Sequence, residues 1–242
     1  VTGDLDQARL DAEGDAAGLS VRGRYLTSTG STNSDLRAVA AGAPHGAFLV
    51  TDVQTAGRGR LGRVWEAPAG ANLAISVLIR APLPPDRRPL VCLAAAVALA
   101  ELLPGCAIKW PNDVLNRAGQ KVAGILAEVE SDALIVGIGV NVRAAPPLPG
   151  AGVVDGGDAI DRSALAVAIV RALLAHTEAL AHDPAHVLDR WRARAHTLGR
   201  AVRVGDIEGL AFDIEASGAL LVATASGVRR VLAGDVEMIA RS

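Results

Sequence analysis

Four short stretches carry side chains whose types and spacing can do chemistry. In Gln54-Thr-Ala-Gly-Arg-Gly-Arg-Leu-Gly-Arg-Val-Trp65, Gly57, Gly59 and Gly62 alternate with Arg58, Arg60 and Arg63, and Trp65 ends the run with a large flat face. Glycine lets a backbone bend and approach a ligand closely. Guanidinium groups add permanent charge and a planar donor fork. Such a segment folds over something anionic, unless it is a solvated Gly/Arg tail of the kind nucleic-acid binders use. Thr27-Ser-Thr-Gly-Ser-Thr-Asn-Ser-Asp35 gathers hydroxyls and amides ahead of a helical pattern starting at Leu36. These residues alone favour N-capping by Thr32, Asn33 or Ser34 over a polar ligand site at a helix N-terminus. Lys109-Trp-Pro-Asn-Asp113 displays a compact polar centre at a bend forced by Pro111, and Lys121-Val-Ala-Gly-Ile-Leu-Ala-Glu128 opens a strand with an ammonium. Lys109 and Lys121 are the chain's two lysines, every other strong base being arginine, so they mark positions where arginine will not do, or they are chance survivors of a composition bias.

The inventory is as telling for what it lacks. There is no Ser-His-Asp set, no GxxxxGK[ST] loop and no Rossmann dinucleotide fingerprint. Arginine and lysine without a protein nucleophile suit an activation reaction, in which a substrate carboxylate attacks the α-phosphate of a nucleotide. That reaction needs alignment and charge neutralisation more than covalent catalysis. Asp113 reads either as a Mg²⁺ ligand or as a turn residue after Pro-Asn. His176, His182, His186 and His196 have no metal-binding spacing of the HExxH kind and read as structural or surface groups.

The elements that must position these groups follow from periodicity. Apolar runs at 47–53 and 71–79 predict strands on either side of the Gly/Arg segment, which makes it a loop between buried strands rather than a tail. Residues 90–103 predict a buried helix stopped by Pro104-Gly105. Strands are expected at 107–115, 121–129 and 132–142, the last two as a hairpin, with Gly124, Gly137 and Gly139 placed for close approach to the sheet face. A Pro/Gly-rich loop at 143–161 precedes helices at 162–182 and 184–196. From Thr197 five short strands with Gly/Ser/Asp turns predict a small β-barrel. The expected organisation is a weakly structured extension over 1–24, a catalytic domain over 25–196 and the small barrel over 197–242.

Composition bounds the rest. Half the residues are hydrophobic but aromatics make up 2%, so the core is built from Ala, Val, Leu and Ile. A net charge of −2 gives no electrostatic case for general nucleic-acid binding. Cys92 and Cys106 form no disulfide framework and fit a reducing cytosol, with Cys92 a packing residue. Neither a signal segment nor an apolar span is evident, so no membrane association is expected.

In order, Gly30-Ser-Thr-Asn33, the 54–65 stretch, Lys109–Asp113, Lys121–Glu128 and Gly137-Ile-Gly-Val-Asn-Val142 resemble the motifs of the biotin protein ligases, over about residues 25–240. The resemblance implies an α+β fold of class II synthetase and biotin ligase type: a mixed, largely antiparallel sheet flanked by helices, then an SH3-like β-barrel. It implies ATP-dependent formation of biotinyl-5′-AMP with Mg²⁺, then biotin transfer to a lysine of the carrier domain of a biotin-dependent carboxylase, in the cytoplasm. Carried over by position, Ser31, Thr32 and Gln54 contact biotin, the hydroxyls at its ureido ring, and Gly57, Arg58, Arg60, Lys121 and Gly124 complete that site. Arg58, Arg60, Arg63, Trp65, Asn112, Lys121 and Asn141 serve ATP, with Trp65 packed on the adenine. Lys121 and Arg60 are the catalytic pair, Asn112 and Asp113 serve Mg²⁺, and Lys109 gives electrostatic support. Some relatives carry a Thr-Ser-Leu stretch in the loop after the Gly/Asn strand. It is missing here, which leaves the contacts of 143–161 unassigned. With 24 residues before Tyr25, the form expected is one without a helix-turn-helix domain, and no DNA binding is expected. The rival readings are a lipoate or octanoate ligase and a non-catalytic regulator or nucleic-acid binder. The Gly/Arg loop with Trp65 and the small barrel favour biotin.

Overall fold

In the structure, a computed structural model that describes residues 3–239, the most apolar strands lie at the centre of a seven-stranded sheet. β3 (Leu73–Ile79) is buried along its whole length and β7 (Ala133–Val140) almost so, as their near-continuous apolar sequences require. They pair antiparallel from Leu73↔Val140 to Ile79↔Leu134. β2 (Phe48–Thr51) flanks β3, and β1 (Arg24–Leu26) joins β2 in parallel at the edge. On the other side lie β6 (Lys121–Glu130), β5 (Asp113–Leu115) and β4 (Ala107–Lys109), giving the order β1-β2-β3-β7-β6-β5-β4. The β6–β7 hairpin turns through Ser131 at a φ of 52°.

Alternation divides the sheet residues between two faces. Val50, Ile75, Val77, Val136 and Ile138 join the main core under α3 (Leu90–Leu102), α4 (Arg162–His182) and α5 (Pro184–Arg194). The helix α3 is apolar all round and correspondingly buried. The opposite face carries α2 (Thr32–Val39) over a small cluster of Leu36, Leu49, Leu78 and Ile135. Ser76, Gly137, Gly139 and Gly124 share that face by period and register, and α2 covers part of it. Among the described residues α4 is the one helix long and apolar enough to cross a membrane by length and composition; half of its most apolar window is buried inside the protein, where it serves as a core helix.

The N-terminal segment departs from the sequence reading. The sequence allows a helical turn or two at 7–12 within a weakly structured extension; the helix is longer, Gln7–Ala16 forming α1, N-capped by the Asp6 carboxylate accepting from the Arg9 amide at 2.8 Å. Leu5 and Leu10 are buried beneath it. Leu10 is the one buried side chain within α1, which is why no amphipathic pattern announces the helix. Just ahead, Asp4 accepts from Arg143 and from the buried Arg162 (2.8 Å to Nε), and Arg162 also reaches Asp52 at 2.5 Å. Burial would raise the Asp4 carboxyl, but these guanidinium and amide donors hold it far below the usual range. Burial and the neighbouring Asp52 push the Tyr25 phenol up to about 12.

The C-terminal strands β8 (Arg200–Val204), β9 (Ile207–Ile214), β10 (Leu220–Thr224), β11 (Gly227–Val231) and β12 (Glu237–Met238) form an antiparallel sheet in the order β11-β10-β9-β8-β12. Backbone pairing does not close it into a complete barrel among the described residues. β12 is two residues long and pairs with β8 alone. This sheet is fastened to the large one through fully buried Trp110. Its amide donates to Thr197 Oγ1 (2.8 Å) and its indole Nε1 to the Gly218 carbonyl (3.0 Å). Arg192 of α5 adds bonds to Asp213 and to the Ile214 carbonyl. Trp110, Trp191, Ile214, Leu220 and Val236 belong to one continuous apolar core.

Candidate active site

A cavity of about 300 Å³ opens over the α2 face of the sheet where β6 and β7 carry glycines. A side chain at Gly139 would run into the Trp65 indole, and one at Gly124 would meet it at 2.9 Å. One at Gly137 would collide with the Asn33 amide. The three glycines thus cut a trough into the sheet, and the approaching groups are side chains of the protein's own loop and helix.

At one end of the trough stands the start of α2. The helix begins at Thr32 with Ser31 as its N-cap, and the Ser31 side chain makes no capping bond. The cap is supplied from outside: Gln54 Oε1 accepts from the Thr32 amide (2.9 Å) and hydroxyl (3.1 Å). The expected cap at Thr32, Asn33 or Ser34 is therefore corrected by one position, and the buried Ser31 hydroxyl is left for the cavity it lines. Thr29 donates instead to Asp35.

The Gly/Arg loop forms the wall opposite the trough. Its two limbs pair through an Arg58↔Val64 bridge and the Trp65 amide to the Gly57 carbonyl at 2.9 Å. The tip is a short turn over Arg60–Gly62, where Leu61 sits at a φ of 54° with its side chain exposed. Each arginine has its own anchor. Arg58 reaches Glu128 (3.0 Å) and Ser34 (3.4 Å). Arg60 donates to Asn112 Oδ1 (2.8 Å) and to the Gly234 carbonyl (3.4 Å), and Arg63 pairs with Asp235. Burial would raise Glu128, but hydrogen bonds from Asn33 and Arg37 and the charges of Arg58 and Arg37 hold its carboxyl below the ordinary value.

Across the cavity, Lys121 Nζ lies 2.6 Å from Asp113 Oδ1 and 5.7 Å from the Trp65 ring centroid. Asn112 is occupied with positioning: its Oδ1 takes Arg60, and its Nδ2 donates to the Ile125 carbonyl at 2.9 Å. Asn141 is buried and lines the cavity; its Nδ2 donates to the Gly152 carbonyl, while its Oδ1 has no partner.

Of the residues picked out by sequence, Ser31, Thr32, Gln54, Arg58, Arg60, Arg63, Trp65, Asn112, Asp113, Lys121, Gly124 and Asn141 all line this cavity. Gly57 does not. It lets the limbs of the loop close, since a side chain there would press on the Trp65 carbonyl. Lys109 is also absent from the lining and faces the His196 side, where burial, then the Arg200 and Lys109 charges, lower that imidazole. The long loop 143–161 supplies Pro146, Leu148 and Gly150 to the rim, held by the Lys121 amide on the Gly150 carbonyl (2.7 Å). Sequence reasoning passed over Ser76 and Asp235 and gave Asn33 a capping role but no place in the site. Ser76 had a signal, being the lone polar residue of a buried strand. Asp235 had none, because it reaches the cavity from the other sheet.

No group of three or more His, Cys, Asp or Glu capable of holding a metal occurs among the described residues. Asp113 and Asn112 already face cations of the protein. Their donor set fits an ion arriving on nucleotide phosphates, not one caged by the chain alone.

The Biotin/lipoate A/B protein ligase family matches residues 24–143, and the Biotin protein ligase C terminal domain matches 197–238. The biotin–[acetyl-CoA-carboxylase] ligase of Mycobacterium tuberculosis is 38% identical over 231 residues, 87% of this chain and 86% of that one. The chain belongs to the biotin protein ligase family. The ligase of the same name from Paracoccus denitrificans is 35% identical over 250 residues, covering 87% and 98% of the two chains. A structure of the biotin protein ligase from Aquifex aeolicus in complex with biotin and ATP superposes with a TM-score of 0.76 at 26% identity, over 90% of this chain and 99% of that one. The two-sheet architecture, with its mixed large sheet, is the biotin protein ligase fold.

Proposed function

We propose that this biotin protein ligase family member activates biotin with ATP and transfers it to a lysine of a biotin carboxyl carrier domain. The observation that carries the reading is the convergence of Arg58, Arg60 and Lys121 with Ser31, Thr32, Gln54 and Trp65 around one cavity. The trough end with its free Ser31 hydroxyl and the Thr32/Gln54 pair takes the ureido ring. The valeryl chain then runs toward Lys121, bringing the carboxylate among three cations. There a carboxylate oxygen attacks the α-phosphorus of ATP, pyrophosphate leaves, and biotinyl-5′-AMP results. Arg60 and Lys121 offset the charge that builds on the transferring phosphate, which is worth most in a site closed to water. Lys121 is a compact ammonium on a flexible stem, able to follow the reacting oxygens where a guanidinium fork would be too wide. Trp65 gives the adenine a flat partner, and Asn141, in the cavity lining, serves the nucleotide. Mg²⁺ comes with the phosphates, Asp113 offering one carboxylate to it. In the second half, the neutral amine of the carrier lysine attacks the acyl carbon and AMP leaves. The two free thiols, Cys92 and Cys106, accord with a cytoplasmic setting.

The test is biotin-dependent ATP–pyrophosphate exchange, followed by biotin transfer to a purified carrier domain, with lipoate in a parallel arm. Exchange with lipoate alone would overturn the substrate; binding to nucleic acid without exchange would overturn the enzyme.

A further inference from the structure

We infer that Glu128 is a positioning residue that ties Arg58 of the Gly/Arg loop to the Thr32/Gln54 end of the cavity; the inference rests on the reading that this end takes biotin. The Glu128 carboxylate receives Arg58 at 3.0 Å, Asn33 Nδ2 at 2.7 Å and Arg37 at 3.2 Å. Exposed ion pairs alone contribute little, but this one continues into the interior. Asn33 is buried, and its Oδ1 accepts from Ser76 Oγ at 2.5 Å. Ser76, fully buried, lies 2.7 Å from Thr32 Oγ1, which reaches Gln54 Oε1 at 3.1 Å. An unbroken chain therefore runs Arg58–Glu128–Asn33–Ser76–Thr32–Gln54. Gly137 makes it possible, since any side chain there would occupy the Asn33 amide position.

Proton counting shows why the chain can respond to a ligand. Ser76 and Thr32 have one hydroxyl hydrogen each. Three contacts, Thr32–Gln54, Ser76–Thr32 and Ser76–Asn33, compete for two hydrogens. A carbonyl oxygen that takes the Thr32 hydrogen leaves Thr32 as an acceptor for Ser76 and Gln54 Oε1 with the Thr32 amide alone. A hydrogen that Ser76 turns to Thr32 is lost to Asn33 Oδ1, and Asn33 is the amide that holds Glu128. Occupancy at Thr32 is thereby felt at Arg58 through Asn33 and Glu128.

The test is a double-mutant cycle of Glu128→Gln and Arg58→Ala, read as separate KM values for biotin and ATP in pyrophosphate exchange. Each single variant is expected to raise the biotin KM about tenfold while moving the ATP KM less than about twofold, and the double variant to be no worse than the worse single one. Losses that multiply, or a Glu128→Gln change falling equally on both substrates, would overturn the coupling. Should Glu128→Gln fold poorly, Ser76→Ala cuts the same chain between Asn33 and Thr32 and must give the same biotin-selective loss. An activity-free readout separates this inference from the proposed function: trypsin is expected to cut after Arg58 several-fold faster in Glu128→Gln than in the wild type, whatever the wild type activates. An unchanged cleavage rate refutes the positioning role even if biotin exchange is robust.

Discussion

Lys121 faces a carboxylate at 2.6 Å and an aromatic ring at 5.7 Å, yet it lines an open cavity and packs against no core. Its removal should therefore cost chemistry and not folding. Lys121→Ala is expected to lower biotin-dependent pyrophosphate exchange by at least about 10²-fold with the thermal midpoint nearly unchanged. Wild-type exchange in a well-folded variant would remove the role assigned to it. Glu128 permits a prediction in pH. Its carboxyl sits below the ordinary value of 4.5 in the folded protein. A depressed carboxylate contributes stability that is complete above the unfolded value and is lost as pH falls through the folded one. Wild type should thus be more heat-stable than Glu128→Gln at neutral pH, with the gap closing as pH falls below about 4.5. A gap that stays constant into acid would show the carboxylate to be neutral in its effect. At this scale the sequence was informative where chemistry needs unusual residue types. Arg58, Arg60 and Lys121 stood out by type, Ser31 and Thr32 entered through the family resemblance, and all five reach one cavity. Ser76 and Asn33 were harder to read because their work is to hydrogen-bond one another, and no spacing in the chain expresses a pairing across 43 residues.

Elements explain why the Gly/Arg loop holds a shape at all. Its few internal backbone bonds are supplemented by anchors from three places: Glu128 on β6, Asn112 before β5, and Gly234 and Asp235 ahead of β12. Loosening any of them should let water reach the mixed anhydride. Arg60→Gly, which removes two anchors and a charge, is expected to release biotinyl-5′-AMP about tenfold faster. Asp235→Asn, which weakens one partly exposed ion pair, is expected to do so only about threefold. Trapping of released adenylate by added hydroxylamine measures both, and equal rates in wild type and Arg60→Gly would end the shielding role. The loop's composition was plain in the sequence, whereas its anchors were not, since Glu128 lies in a strand whose faces depend on register and the other two places are connections far away along the chain. The same limit explains the first helix. With Leu10 its single buried residue, α1 is positioned by Asp4 and Asp6, capping and ion-pair chemistry that hydrophobic periodicity does not register.

At the scale of the molecule, two sheets share one apolar core, and Trp110 stands at their junction with both of its nitrogen donors bonded to the C-terminal segment. Unfolding should accordingly be a single cooperative transition, with calorimetric and van't Hoff enthalpies in agreement. Two resolved transitions would mean that the small sheet folds on its own. Trp110→Ala is expected to cost about 3–5 kcal/mol, as for other large core truncations, and to loosen Arg63 as well, since Asp235 rides on the sheet that Trp110 holds in place.

The pairing of Lys121 with Asp113 bears finally on what the protein does to itself. An acyl adenylate acylates neutral amines indiscriminately once it escapes. This chain offers it two lysines, one clasped by a carboxylate inside the cavity and the other, Lys109, in a short strand at the sheet edge. Its many remaining cations are guanidinium groups, which stay protonated and unreactive. The catalyst is in this sense nearly invisible to its own reagent: a leaky variant would label its surroundings while leaving its own side chains almost unmarked.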